Sequence, residues 1–168
     1  MTDTGLQGLL QDLASQERHS PRSDVVRLAV RLRARDACEY CLLPTVGQFH
    51  VAHVTPPRAW PSGAAHGPDH VDNYAWCCPF CNASRAARTE LGGQRLFDPR
   101  RDHWREHFAF AQDYLVVLGT TAVGRATEAA LDLNSPRYGR HVTQRYRALL
   151  ENHYPPAWAR SYPSIPKE

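Results

Sequence analysis

The sequence predicts an α+β fold in which a strand–loop–strand–helix unit is flanked by helices and followed by a β-hairpin and further helices. Two Cys-x-x-Cys pairs bracket the unit, alternating apolar residues indicate a strand at 48–54, and apolar residues at helical spacing indicate a helix at 24–35. We expect four segments, namely an N-terminal arm (1–22), the cysteine-bracketed unit (23–92), a hairpin and helical extension (93–154) and a Pro-rich tail (155–168).

Two helices are predicted before the first cysteine pair. A short amphipathic helix runs from Leu6 to Gln16, and a second helix begins after Ser23, a suitable N-cap residue. In the second helix Arg31 and Arg35 are four residues apart and share one face with Arg27. Arg31 and Arg35 are therefore candidate nucleic-acid contacts along a phosphate backbone, and a solvated helix face is the alternative.

The cysteine pairs predict a structural zinc site made by Cys38, Cys41, Cys78 and Cys81. Four thiolates in two close pairs are a tetrahedral ligand set of the kind that structural zinc occupies. The alternatives are a thioredoxin-like redox pair, two disulfides or buried core thiols, and none fits two pairs in turn-like contexts as well. We interpret the fifth cysteine, Cys77, as a small buried residue, with the role of true ligand as its alternative.

The segment between the cysteine pairs predicts two strands and a loop. Residues 48–54 alternate so that His50, Ala52 and Val54 lie on one face and Val51 and His53 on the other. A turn-rich loop at 62–70 follows, then a second short strand at 73–77 and a helix that starts at the last cysteine.

Beyond this unit, the pattern predicts a β-hairpin formed by residues 106–110 and 114–118. A helix is expected at 122–133, and Pro136 is expected to open a last helix that ends near Asn152. Its apolar face is suited to packing on the central unit or on a second copy of the chain, so a homodimer is one expectation. The final residues, rich in proline, predict an extended tail.

Composition suggests a cytoplasmic protein with a nucleic-acid partner. The amino terminus has no basic region before an apolar run, and no stretch approaches the length of a membrane span, so we expect neither secretion nor membrane insertion. The formal net charge is +3, and Lys167 is the only lysine, so 19 of the 20 basic residues are arginine. Arginine is suited to bidentate phosphate contacts and to stacking on bases, although a GC-rich genome produces the same bias.

The cysteine-bracketed unit resembles the HNH endonuclease family, in particular a zinc-stapled bacterial subfamily with a ββα-metal finger. The resemblance is carried by the following residues: Cys38-Glu39-Tyr40-Cys41, His50 to Val54 with Pro56, Asp72-Asn73, and Cys78-Pro79-Phe80-Cys81-Asn82 with Arg85. It extends to Leu96-Phe97-Asp98-Pro99-Arg100, Trp104, His107-Phe108 and Gly124-Arg125-Ala126-Thr127. The similarity thus covers most of the chain from about Val25 to Pro136.

The resemblance implies metal-dependent phosphodiester hydrolysis of nucleic acid, most often DNA. It makes His53 the general base that takes a proton from the attacking water, and Asn73 the residue that holds the loop and orients His53 by hydrogen bonding. It makes Asn82 a ligand of a catalytic divalent ion, usually Mg²⁺. Arg85, and on the same helix Arg88, would contact phosphate.

The chain departs from the family pattern at the catalytic metal. Ala52 stands where the family has an acidic metal ligand, and Ser84 stands where relatives often have a histidine. Mg²⁺ prefers hard oxygen ligands with at least one carboxylate, so Asn82 alone would hold it weakly.

Three accounts follow from this departure. In the first, His50, or one of His66, Asp69 and His70 from the loop, replaces the lost ligand, and the nuclease uses Mg²⁺, Mn²⁺ or Ni²⁺. In the second, the finger binds DNA or RNA without cleaving it. In the third, it is a zinc-stapled adaptor for another protein. An alanine introduced by engineering at position 52 would produce the same sequence.

Overall fold

The computed structural model describes residues 3–15, 19–111, 113–134 and 140–165. Within these ranges it contains six α-helices and three two-stranded antiparallel sheets, so the predicted α+β class is confirmed. The helices are α1 (Asp3–Ala14), α2 (Asp24–Arg33), α3 (Pro79–Arg85), α4 (Trp104–His107), α5 (Ala122–Leu131) and α6 (Arg140–Leu150). The strands are β1 (His50–His53), β2 (Tyr74–Cys77), β3 (Glu90–Leu91), β4 (Gln94–Arg95), β5 (Phe108–Ala111) and β6 (Val116–Gly119).

The central unit consists of β1, β2 and α3, in the order that the sequence predicts. In the antiparallel register His50 lies opposite Cys77 and His53 lies opposite Tyr74. The chain enters α3 through Cys78, whose sulfur accepts a hydrogen bond from the backbone N–H of Cys81. The second cysteine pair therefore lies where the strand ends and the helix begins.

Helix α2 packs on β2 through its apolar stripe and one arginine. Val26, Ala29 and Val30 are buried, as the helical spacing predicts. Arg33 donates to the backbone carbonyls of Val71, at 3.1 Å, and Tyr74, at 2.7 Å. These bonds fix α2 beside the start of β2 and satisfy carbonyl groups that packing removes from water.

The predicted C-terminal hairpin is present as β5 and β6, but its first strand begins two residues later than expected. The predicted strand start at residues 106 and 107 is wrong, because these residues form the end of α4. Helix α5 then packs against the hairpin. A side chain at Gly124 would collide with the backbone carbonyl of His107, so the close approach requires glycine at this position.

The tail does not extend away from the protein. Residues 157–159 form a 3₁₀ turn, contrary to the prediction, and Ser164 pairs with Phe110 in a parallel bridge. Trp158 and Tyr162 pack against the core, because aromatic side chains gain more from burial than an exposed tail allows. Pro136, Gln16 and the last three residues of the tail lie outside the described ranges.

One cluster of buried side chains connects these elements, from Leu13 in α1 through the cysteine site to Ala159 in the tail segment. None of the described helices is both long enough and apolar enough to cross a membrane. The division of the chain into four segments stays a prediction.

Candidate zinc site and adjoining cleft

The four predicted zinc ligands meet at the base of the central unit. Cys38 and Cys41 lie in a tight turn after α2, closed by a hydrogen bond from the N–H of Leu42 to the carbonyl of Cys38. Cys78 and Cys81 lie at the start of α3. All four side chains are buried, and their sulfur atoms lie within 4.8 Å of one another.

The sulfur geometry fits a metal ion better than disulfides. A tetrahedral zinc ion with Zn–S bonds of about 2.3 Å separates its sulfur ligands by about 3.8 Å. The Sγ atoms of Cys41 and Cys78 are 3.7 Å apart, whereas a disulfide would bring two sulfurs to about 2.05 Å. All five cysteines are free. The cluster could therefore hold a structural zinc ion, as the spacing predicts.

The protonation of these thiols is strongly perturbed. Burial, reinforced by the neighbouring sulfurs, raises the pKa of Cys78 and Cys81 well above the usual thiol value. At Cys38 burial acts in the same direction, but hydrogen bonds from the surrounding cysteines outweigh it and the pKa is lowered. A divalent cation would compensate the cost of burying several thiolates together.

Cys77 is not part of this four-sulfur cluster. It lies at the end of β2, fully buried, and burial raises its pKa well above that of an ordinary thiol. This placement agrees with the interpretation of Cys77 as a small core residue.

His141, in α6, contacts the cluster although it lies 60 residues after Cys81 in the sequence. Its Nε2 lies 3.3 Å from the Sγ of Cys81. Burial, with a contribution from Arg145, lowers the pKa of His141 to about 4, so the ring is neutral near pH 7. A neutral imidazole can donate its single N–H to a metal-bound thiolate, which is a common outer contact of zinc ligands.

We expect His141→Ala to weaken zinc binding by about 10- to 100-fold, because it removes a hydrogen bond to one of the four ligands. Competition with a chromogenic chelator measures the affinity. His141→Gln, which keeps a side-chain donor, is expected to lose less. Equal zinc affinity in all three proteins would show that the His141 contact does not support the site.

A second feature is a cleft of about 250 Å³ between the end of β1 and α3. It is lined by Val51, Ala52, His53, Pro56, Pro57, Asn82, Arg85 and Ala87. Two predicted catalytic residues, His53 and Asn82, thus come together beside Ala52. The lining contains a histidine and an amide but no carboxylate.

His53 is held by a residue that the sequence did not assign to it. Its Nε2 lies 2.9 Å from Oδ1 of Asp69, and its ring packs edge-on against Tyr74. The His53 side chain keeps 24% of its surface exposed. An imidazole that donates through Nε2 to a carboxylate carries its lone pair at Nδ1, where it can accept a proton.

Asn73 holds the loop, and its side-chain hydrogen bonds go to residues other than His53. Its side-chain oxygen accepts from the N–H of Thr55, and its amide donates to the carbonyls of Thr55 and Pro68. The bond to Pro68 tethers the chain directly before Asp69. Asn73 therefore supports the His53–Asp69 pair, whereas the prediction assigned the hydrogen bond on His53 to Asn73 itself.

Arg85 points inward. Its guanidinium donates to the backbone carbonyls of His53 and Val54 and lies over the ring of Tyr40. Only 4% of the residue is exposed. In this position Arg85 ties α3 to the end of β1. Its contact with phosphate stays a prediction.

If Arg85 is a structural tie, Arg85→Ala is expected to lower the free energy of unfolding by about 3 kcal/mol, because two buried carbonyls lose their donors. Arg105→Ala, at an exposed arginine on α4, is the control and is expected to change it by about 0.5 kcal/mol or less. Urea denaturation measures both. Equal stability of the two variants would contradict the structural role of Arg85.

The other predicted contacts do not line the cleft. Arg31 pairs with Asp36, at 2.6 Å, and Arg35 lies over the ring of Trp158. Arg88 donates to backbone carbonyls of α3 and α5, and His50 lies opposite Cys77 in the strand register. The loop residues proposed as replacement ligands, His66, Asp69 and His70, are likewise outside the lining.

Sequence reasoning missed one residue at the rim of the cleft. Arg58 is exposed and donates to the carbonyl of Ala87 at 3.5 Å, which places a cation beside the opening. Its position directly after the prolines that end β1 was the available signal.

Comparison of the chain with protein-family models, curated proteins and solved structures found no match.

Proposed function

We propose that this protein is an HNH-type ββα finger that binds nucleic acid, and that its phosphodiesterase chemistry is impaired at the metal site. The supporting observation is the cleft in which His53 and Asn82 lie side by side with Ala52. The four buried cysteines would hold a structural zinc ion that fixes β2 and α3 below this cleft.

In the proposed hydrolysis, His53 takes a proton from the attacking water at Nδ1 while Asp69 holds the ring through Nε2. The negative carboxylate of Asp69 stabilises the imidazolium that forms. Asn82 lines the same cleft, and its side-chain oxygen is the remaining candidate ligand for a divalent ion. When bound, such an ion would stabilise charge on the scissile phosphate and on the leaving oxygen.

Ala52 accounts for the impairment. Ala52 lines the cleft next to His53 in the chain, and its methyl side chain offers no electron pair to a metal. A site with one amide oxygen and no carboxylate binds Mg²⁺ weakly, because this ion keeps its water unless charged oxygen ligands replace it. The proposal therefore expects nucleic-acid binding with little Mg²⁺-dependent cleavage in the protein as it stands.

The nucleic-acid partner is supported by charge and placement. The chain has a formal net charge of +3, almost all its cations are arginines, and exposed Arg58 lies at the rim of the cleft. Guanidinium groups bind phosphate oxygens in bidentate fashion. Duplex DNA is the first partner to test, followed by single-stranded DNA and RNA.

Binding of fluorescent DNA at increasing salt concentration tests this part of the proposal. Affinity is expected to fall with salt, and Arg58→Ala is expected to lower the slope of log affinity against log salt by about one. Arg105→Ala, an exposed arginine on α4, is the control and should keep the slope. Salt-independent or absent binding would instead favour the adaptor role.

A further inference from the structure

A second group of metal-ligating side chains lies in the loop before β2. It consists of His66, His70 and Asp72, and one ligand atom from each lies within 4.8 Å of the other two. None of these residues lines the cleft that contains His53. The cluster is therefore separate from the site of the proposed hydrolysis.

The tautomer of His66 is suited to metal binding. Its Nδ1 lies 3.1 Å from the backbone carbonyl oxygen of Gly67. A carbonyl can only accept, so Nδ1 carries the proton and the lone pair is on Nε2. Metal-binding histidines commonly donate their second N–H to a backbone carbonyl in this way, which fixes both tautomer and ring orientation.

His70 and Asp72 complete a converging set. The Nδ1 of His70 accepts from the N–H of Asp72 at 3.3 Å, so its lone pair is on Nδ1. The same Nδ1 lies 3.5 Å from the carboxylate Oδ2 of Asp72. Two ligands of a tetrahedral ion with bonds of about 2.1 Å are about 3.4 Å apart, so this spacing matches a shared cation. An ion bound at Nδ1 of His70 would displace the hydrogen bond from the N–H of Asp72.

The two imidazoles are close neighbours. The rings of His66 and His70 are stacked with centroids 3.7 Å apart and an interplanar angle of 18°. The lone pair of an imidazole nitrogen lies in the plane of its ring, so two stacked rings do not point at one ion as they stand. His66 is only partly buried, so its ring can turn out of the stack to join the pair formed by His70 and Asp72.

Neighbouring residues hold the cluster in place. Trp60 donates its indole N–H to the carbonyl of His66 at 2.8 Å, and its ring packs near that imidazole. The ring centroid of the buried His19 lies 4.8 Å from that of His70. His19 is itself fixed by hydrogen bonds to the backbone of Leu13 and Val71. His70 is itself 2% exposed. These contacts reduce the entropy that binding an ion would cost.

We propose that His66, His70 and Asp72 form a second metal site that takes a borderline divalent ion such as Ni²⁺, Zn²⁺ or Co²⁺. Two imidazoles and one carboxylate favour these ions over Mg²⁺ and Ca²⁺. The side chain of Asp72 is 59% exposed, so the site opens to solvent and leaves coordination positions for water. It exchanges its metal, unlike the buried four-cysteine site.

Calorimetric titration of Ni²⁺ into tag-free, zinc-loaded protein tests the site, with zinc content followed by mass spectrometry. We expect one Ni²⁺ per chain without release of zinc. We expect His66→Gln and Asp72→Asn each to weaken Ni²⁺ binding by at least about tenfold, a loss that even outer contacts of a metal can cause. His103→Gln, an exposed histidine outside the cluster, should bind Ni²⁺ like the unaltered protein.

The proposal is overturned if the zinc-loaded protein takes up no Ni²⁺, or if both cluster variants bind it as well as the unaltered chain does. Near-UV circular dichroism and zinc content check the fold of each variant. If His66→Gln loses its zinc, Asp72→Asn decides the question, because that side chain is exposed and its replacement removes only a charge.

Discussion

Removal of zinc from the four-cysteine site is expected to unfold the protein. Structural zinc sites of this kind contribute an apparent binding free energy of about 10–16 kcal/mol near neutral pH, which matches or exceeds the whole stability of a typical domain. Without the ion, four buried sulfurs remain where α2, β2 and α3 meet. We expect chelator treatment, or Cys41→Ser, to abolish the cooperative thermal transition seen by circular dichroism.

The fifth cysteine provides the matched control. Cys77→Ala removes a sulfur that is equally buried but lies outside the cluster, so it should keep one zinc ion per chain and lose only about 1 kcal/mol of stability. A metal-free protein that melts at the same temperature as the zinc-loaded one would contradict the structural role of the site. So would loss of zinc from Cys77→Ala with retention in Cys41→Ser.

Ala52→Asp is expected to create Mg²⁺-dependent cleavage of plasmid DNA. The new carboxylate would be added to the cleft that His53 and Asn82 line, giving a charged oxygen ligand where there is now a methyl side chain. Residue 52 is partly exposed and lines the cleft, which leaves room for a larger side chain at this position. We expect the rate with Mg²⁺ to rise at least about a hundredfold, a typical scale for completing a catalytic group.

Ala52→Asn separates charge from size in this experiment. The amide has nearly the same shape as the carboxylate but binds Mg²⁺ poorly, so Ala52→Asn should remain close to the unaltered protein. If the two variants cleave equally well, or if neither cleaves while both bind DNA, the missing carboxylate is not what limits the chemistry.

Local sequence patterns predicted the parts of the fold that depend on near neighbours. The Cys-x-x-Cys spacing predicted the four clustered cysteines, alternation predicted β1 and β2, and helical periodicity predicted α2 and α5. The β3–β4 hairpin was not predicted, because strands of two residues are too short to show an alternating pattern. The tail was misjudged because its prolines suggested an extended chain while its aromatic residues pack on the core.

The contacts that define the candidate site are mostly long-range and could not be found in this way. Asp69 meets His53 only because the loop folds back over β1, and His141 reaches Cys81 from 60 residues further along the chain. Arg85 was predicted to contact phosphate, and a charged side chain is seldom as buried as this one is. Its inward direction depends on two carbonyls at the end of β1, which no local pattern of the sequence indicates.

Adding His53→Ala to the Ala52→Asp variant is the most direct test of the central claim that this cleft is an HNH-type hydrolytic site. The assay is cleavage of supercoiled plasmid with Mg²⁺. If His53 is the general base, the double variant should lose about 10²- to 10⁴-fold of the rate gained by Ala52→Asp, while its DNA affinity and zinc content stay the same. Equal cleavage with and without the His53 imidazole would contradict the claim.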